Sequence, residues 1–266
     1  MIFEYTTIAS IRSYGVTALQ MSDIKVKKLI MQYSQLLNRW TELWFAPIAT
    51  KERFSGGGKL INISGKPPLI KLNAINIINI DGSRTPIEPG YYESLGKSIR
   101  FAKRTPEGIR NVEVDGVFGL VDSPKEVHVK TTTDIAKDSI SFSVEDASLL
   151  EERDIFIFGN RCIIANSINY ENNTVLIDKQ QEIKTIPTGT EIICYGQCDM
   201  LVEEAVNLLV KNYKILKGQI GGGIKTEKTD DYSYEVFELK GNTTGITEVD
   251  RIINILSNES IMIEYL

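Results

Sequence analysis

The strongest constraint on this chain is the distance between its two clear amphipathic helices. From Ser22 to Thr41, the apolar residues Val26, Leu29, Ile30, Tyr33, Leu36, Leu37 and Trp40 recur at three- and four-residue steps. That spacing puts them on one stripe of a helix. Lys25, Lys28, Gln32, Gln35 and Arg39 take the opposite face. Ser22 or Asp23 is placed to cap its start, and Pro47 prevents continuation. The second such segment, Asp199–Leu216, begins more than 150 residues later. Its inward set is Met200, Val202, Ala205, Val206, Leu209 and Tyr213, with Asp199 as N-cap. Glu203 and Glu204 lie at its start and Lys211, Lys214 and Lys217 towards its end, the order that suits the macrodipole.

Between the two helices the pattern is that of short strands and turns. Lys51–Phe54 and Leu60–Ile63 flank Ser55-Gly56-Gly57-Gly58-Lys59, which reads as a hairpin tip. The isoleucines at 75, 77, 78 and 80 lead into the turn Asp81-Gly82. Tyr91-Tyr92 and Ser98–Phe101 read as a strand pair, and Arg110–Leu120 as a further strand. From about Lys130 to Tyr195 the pattern changes to a small antiparallel unit. Ser139–Val144 alternates, Asp154–Phe158 and Arg161–Ala165 join through Gly159-Asn160, and Ser167–Tyr170 and Thr174–Ile177 join around Asn172-Asn173. A short helix is expected over Thr7–Tyr14, a mobile loop over Gly218–Asp231, a strand over Asp231–Leu239, a helix over Thr247–Leu256 and a strand-like tail over Ile261–Leu266.

The expected fold class is therefore α+β. It is a small helical bundle of two main amphipathic helices plus short terminal helices, with a β-hairpin or sheet extension and an inserted small antiparallel β-barrel or sandwich. Residues 1–129 and 197–266 would form the core, and residues 130–196 the inserted β domain.

Composition narrows function by exclusion. A net charge of −5 argues against a dedicated nucleic-acid binder, which needs a basic surface to displace phosphate counterions. One histidine, His128, is too few for a histidine metal site or a Ser-His-Asp relay. Cys162, Cys194 and Cys198 form neither a disulfide framework nor a four-ligand zinc set. The N-terminus has no basic segment followed by a long apolar one, so no signal peptide is expected. No apolar run approaches the length of a membrane span. Gly90–Ser98 nearly spells a P-loop, but it has five residues between the glycines and runs into a strand, not a helix. Gly221-Gly222-Gly223 lacks the strand-to-helix context of a phosphate cradle. No catalytic residue, metal or cofactor is expected.

One cluster remains that can act on another molecule: Arg39, Trp40, Trp44 and Phe45, where the first long helix ends. These residues suit either core and hinge packing or a subunit anchor, since Trp and Arg are enriched in interface hot spots. The terminal Ile261, Ile263 and Tyr265 suit return to a sheet of the same chain or strand addition to a partner.

The order of these parts resembles the head–tail connector (adaptor) proteins of tailed bacteriophages. The likeness rests on the helix ending Tyr14-Gly15-Val16, then Ser22-Asp23, then the stretch Arg39-Trp40-Thr41-Glu42-Leu43-Trp44-Phe45 and Lys51-Glu52-Arg53-Phe54. Tyr91-Tyr92 and Arg110-Asn111-Val112-Glu113-Val114 follow, and after the second helix comes Glu227-Lys228-Thr229-Asp230-Asp231-Tyr232-Ser233-Tyr234. It covers Thr6–Leu120 and Asp199–Tyr234; the 130–196 unit and the tail depart from it. The resemblance implies a virion protein at the head–tail interface. It would form a homo-oligomeric ring, commonly dodecameric, between the portal protein and a stopper or tail-completion protein. Double-stranded DNA would pass through without sequence-specific contact, and no membrane would be involved. Arg39, Trp40, Trp44, Phe45, Tyr232, Tyr234, Ile261, Ile263 and Tyr265 become candidate subunit or portal contacts. Two other expectations stand beside it: a virion-associated binding module whose inserted β domain contacts another virion protein or a surface glycan, and a hydrolase or nucleotide-dependent enzyme.

Overall fold

The computed structural model describes residues 3–63, 65–158, 161–179, 185–213, 224–229, 232–237 and 244–258. Helix α1 (Ile8–Ser13) is capped by Thr7, whose hydroxyl accepts from the Ser10 N–H at 3.1 Å. Helix α2 (Asp23–Thr41) ends where Glu42 takes a left-handed conformation at φ 57°.

The chain then builds seven strands: β1 (Ile48–Phe54), β2 (Leu60–Asn62), β3 (Leu69–Ile78), β4 (Arg84–Ile87), β5 (Tyr92–Ser94), β6 (Ser98–Phe101) and β7 (Val112–Phe118). They form two sheets, in the orders β1-β7-β3-β4 and β2-β6-β5. Ile75, Ile77, Val112, Val114 and Phe118 from the first sheet meet Ile61, Ile99 and Phe101 from the second in one core. This is a small sandwich. The glycine-rich segment 55–59 is not a hairpin tip. Because β1 pairs with β7 and β2 with β6, that segment carries the chain from one sheet to the other. The Gly90–Ser98 stretch forms the β5–β6 hairpin, with Gly96 at φ 76° in its turn.

The next seven strands are β8 (Val121–Asp122), β9 (Val127–Lys130), β10 (Ser141–Ser143), β11 (Asp154–Phe158), β12 (Arg161–Asn169), β13 (Thr174–Ile177) and β14 (Glu191–Cys198). They pair in the order β10-β13-β12-β11-β14-β8, with β9 also on β14. A bridge between Thr131 and Val144, just beyond β9 and β10, closes the sheet into a barrel. Helix α3 (Met200–Lys211) follows, with the Asp199 carboxylate accepting from the Val202 N–H at 3.0 Å. The hairpin of β15 (Ile224–Thr229) and β16 (Tyr232–Phe237) and helix α4 (Thr247–Asn258) complete the described chain. Part of the expected mobile loop is thus strand β15. The expected terminal strand lies outside the described residues.

The expected helical bundle does not form. Among the described residues the protein is mostly β, with fourteen strands in three sheets besides the β15–β16 hairpin. Among the described residues, two of the three cores contain no helical residue. The third is where the helices gather, and it is no bundle interior. Val26, Ile30 and Leu37 of α2, Val202, Val206 and Leu209 of α3, and Val249, Ile252 and Leu256 of α4 share it with Ile155, Cys162, Ile164 and Cys198 of the barrel sheet. The helices form a layer on the outside of the barrel. The physical reason is that an apolar helical stripe shows that a face is buried but not what covers it, and here the barrel sheet supplies part of that cover.

Strands β11 and β12 are therefore apolar on both faces, and β14 also serves both cores. Ile155 points to the helices and Phe156 into the barrel; Cys162 and Ile164 point to the helices and Ile163 and Ala165 into the barrel. On β14 the two roles are separated along the strand. Cys194 faces the barrel core and Cys198 the helical layer, although their spacing would put them on one face of a regular strand. A register shift against β11, where Asp154 opposes Gln197 but Phe156 opposes Cys194, inserts the extra residue that flips the face. Gly196 sits in this bulge at φ 138°, and a Cβ there would lie 2.8 Å from the Asp122 carbonyl oxygen. Both the backbone angle and the space demand glycine. Gly196→Ala is expected to destabilise the protein by roughly 2–3 kcal/mol in chemical unfolding, the range for combined backbone strain and overpacking; a change below about 0.5 kcal/mol, the level of a neutral surface substitution, would show that the bulge tolerates a side chain.

Candidate functional site

The aromatic exit of α2 divides as the chain leaves the helix. Arg39 is exposed on the solvent side of α2, and Trp40 is half-buried against the helical core. Phe45 is buried in that same core, edge-on to Tyr5 with ring centroids 5.6 Å apart. Trp44 turns the other way and packs against the sandwich core, with Lys66 Nζ 5.1 Å from its ring centroid. Its indole Nε1 is buried with no hydrogen-bond partner among the described residues. Trp44 and Phe45 thus pin the helical layer and the sandwich to one another from adjacent positions.

Tyr5 organises this junction. Its hydroxyl donates to Asn38 Oδ1 at 2.8 Å and accepts from the Phe45 N–H at 3.0 Å, and its own N–H donates to Ser34 Oγ at 3.1 Å. Burial holds the phenol far above its ordinary pKa, so it stays a neutral donor. Tyr232 and Tyr234 lie on β16, opposite Thr229 and Glu227 of β15. Ile261, Ile263 and Tyr265 lie outside the described residues. The candidate residues therefore do not converge on one patch: Trp40, Trp44 and Phe45 meet at the junction, and the two tyrosines sit on a separate hairpin.

A buried charge cluster lies behind this junction, which the sequence reading missed. Lys27 of α2 places Nζ 2.5 Å from Glu4 Oε2 and 3.4 Å from Asp178 Oδ2, and all three side chains are at most 7% exposed. The Asp178 carboxylate also accepts from the Ile8 N–H at 2.9 Å and Asn166 Nδ2 at 3.0 Å. One ammonium thereby joins the N-terminal segment, α2 and the barrel. The signal was in the helical wheel: Lys27 precedes Ile30 by three positions and Ser34 by seven, on the buried stripe. Beside it, buried Asn207 of α3 accepts from the Thr6 hydroxyl at 2.6 Å and donates to Ser10 Oγ at 2.9 Å. Lys27→Met should destabilise the protein by about 3–5 kcal/mol, because two buried carboxylates lose their cation. Unchanged denaturant unfolding would refute that role.

Cys162 and Cys194 are pushed up to about 12 by burial, and Cys198 well above its ordinary value, so the thiols are poor nucleophiles. Among the described residues no group of three His, Cys, Asp or Glu side chains could hold a metal ion. Among them, too, no helix is long and apolar enough to cross a membrane. Compared with known proteins, the chain matches no family model and no curated protein.

The sandwich and the barrel are also tied at the surface. Lys71 Nζ on β3 lies 2.5 Å from Glu126 Oε1, which His128 Nε2 approaches at 2.9 Å, while His128 Nδ1 lies 3.2 Å from Glu191. Hydrogen bonds to Glu126 and then Glu191 raise the His128 pKa above its ordinary 6.5. A raised folded-state value means the imidazolium's stabilising effect is fully present below 6.5 and fades as pH rises through the folded pKa. The site is exposed, so that effect is small. An NMR titration of His128 should show a midpoint above 6.5, and Glu126→Gln should lower it; a midpoint at or below 6.5 in the unsubstituted protein would contradict the cluster.

Proposed function

We propose that this chain is a ring-forming structural subunit of a tailed-phage head–tail connector, set between the portal and a stopper or tail component. The observation that carries the reading is the β15–β16 hairpin. It emerges between α3 and α4, pairs along all six residues from Ile224↔Phe237 to Thr229↔Tyr232, and pairs with no other strand among the described residues. It bears Glu227-Lys228-Thr229 and Tyr232-Ser233-Tyr234, the stretch most like the connector family. A lone two-stranded hairpin is marginal in water. Its outer edges hold backbone donors and acceptors suited to pairing with another chain. The helices that precede and follow it in sequence pack on the barrel sheet, where the Lys27 cluster also fixes α2. A net charge of −5 suits a wall that DNA slides past.

Light scattering and negative-stain microscopy of the purified protein, alone and with a portal, test this. Closed rings, commonly dodecameric, are expected. Replacing residues 224–237 by a short glycine-serine linker should abolish them while leaving the thermal unfolding midpoint of the remainder within a few degrees. A wild-type protein that stays monomeric in both settings would defeat the proposal.

A further inference from the structure

Charge is unevenly divided between the two β units. Residues 48–118 hold eleven Lys and Arg against seven Asp and Glu, whereas residues 119–198 hold seven against thirteen. The positive surplus concentrates at one end of the sandwich. Strand β1 begins and β7 ends side by side, Ile48 opposite Phe118, where the chain joins the helical layer and the barrel. Phe54 and Val112 pair at the opposite end, about 20 Å away for a seven-residue strand. There the 55–59 and 102–111 loops interlock. Gly56 N–H donates to the Gly108 carbonyl at 3.0 Å, Gly57 N–H to Thr105 Oγ1 at 3.0 Å, and Thr105 N–H to the Gly58 carbonyl at 2.9 Å. A Cβ on Gly56 would lie 2.3 Å from the Pro106 carbonyl oxygen. The loops are thus a preformed tip.

That tip carries Lys59, Lys103, Arg104 and Arg110, all exposed, and none has an ion-pair partner among the described residues. Amid them Ile109 is 90% exposed, and Ile80 in the neighbouring β3–β4 turn is fully exposed. Cations around a bare isoleucine fit a protein surface with acids around an apolar residue. A nucleic-acid backbone would use the cations and waste the isoleucine.

The barrel offers that surface. Between β10 and β11, residues 145–152 expose Glu145, Asp146, Glu151 and Glu152 around Leu149, which is 66% exposed. This loop is preformed as well. Lys125 Nζ donates to the Leu149 carbonyl at 3.1 Å, Tyr170 OH to the Leu150 carbonyl at 3.0 Å, and Ala147 N–H to Asn173 Oδ1 at 3.1 Å. Lys125, the one cation bonded to the loop among the described residues, is already engaged by Asp154 at 2.9 Å and Glu151 at 3.4 Å.

We infer that the cationic sandwich tip of one subunit docks on the acidic 145–152 loop of a second copy, with Ile109 seated against Leu149. This rests on the ring reading above and names a contact within it. The two surfaces differ, so the contact is head-to-tail and generates a ring or a filament, not a two-fold dimer. Both loops are braced by hydrogen bonds before they meet, which limits the ordering cost of association.

Charge reversal tests it on the full chain. Arg104→Glu/Arg110→Glu and, separately, Glu145→Lys/Glu152→Lys alter exposed side chains, and unchanged thermal unfolding establishes that each variant is folded. Each alone should lose assembly by at least about tenfold in association constant near 50 mM salt, with a smaller loss at high salt. Mixing the two variants should restore assembly, because each then presents the complement of the other. Wild-type rings with either variant assembling normally, or a mixture that stays monomeric, would overturn this contact while leaving the ring reading intact. A wild type that never assembles defeats the ring reading first and this contact with it. If Arg104→Glu/Arg110→Glu assembles normally but loses retention of double-stranded DNA, the tip is a phosphate contact and the inference is wrong.

Discussion

The rest of this structure depends on one buried ammonium. Lys27 cannot remain in the apolar seam between α2 and the barrel unless Glu4 and Asp178 are both brought to it. Burying three charges is not an efficient source of stability, since a well-packed apolar trio is often as good. Its effect is on arrangement. Glu4 fixes the N-terminal segment on which Tyr5 lies, Lys27 fixes the rotation of α2, and Asp178 fixes the end of β13. Any packing that separates these elements leaves an unpaired buried charge. Tyr5 then extends the order outward through Ser34, Asn38 and Phe45 to the point where the chain enters the sandwich.

The second constraint is the two-sided sheet. Strands β11, β12 and β14 serve the barrel core with one set of side chains and the helical core with the other. The barrel sheet is the floor on which α2, α3 and α4 lie. The 130–196 segment therefore supplies part of the core that the helices use, including Asp178 of the buried cluster. Its deletion would remove far more than a surface.

Much of this was legible locally and little of it globally. The cap Asp199, the limits of α2, and the β5–β6, β11–β12 and β12–β13 pairs follow from nearest-neighbour chemistry, which sequence displays directly. The strands between the helices were legible, but it did not emerge that the helices have no core of their own and pack on the barrel sheet, because which face covers which is set by tertiary structure. One missed sign was present: Ile155-Phe156-Ile157 and Cys162-Ile163-Ile164-Ala165 have no polar face, the pattern of strands covered on both sides. Lys27 on a buried helical position was another, though its partners, Glu4 and Asp178, are set by tertiary structure alone. The aromatic run at Trp40–Phe45 read as one cluster because adjacent residues look like one patch. The turn after Glu42 sends Trp44 and Phe45 into different cores, and no local pattern encodes that divergence.

Rigidity between the two β units gives these details a common consequence. A head-to-tail contact closes into a ring only if the rotation it imposes divides the circle; otherwise it propagates as a filament. In the proposed assembly that rotation depends on the angle between the sandwich tip and the barrel loop within one subunit. The angle is set where the chain passes from β7 to β8. Gly119 N–H donates to the Pro68 carbonyl and Leu120 N–H to the Phe45 carbonyl, each at 2.9 Å. A Cβ on Gly119 would lie 3.0 Å from backbone atoms of Ala46, so the segments run nearly in contact. Lys71–Glu126 adds a surface tie across the same joint. Trp44 and Phe45 lock it from the helical side. Residues that touch no neighbour would then decide ring closure, and the tight packing at this joint becomes a determinant of assembly geometry as much as of stability.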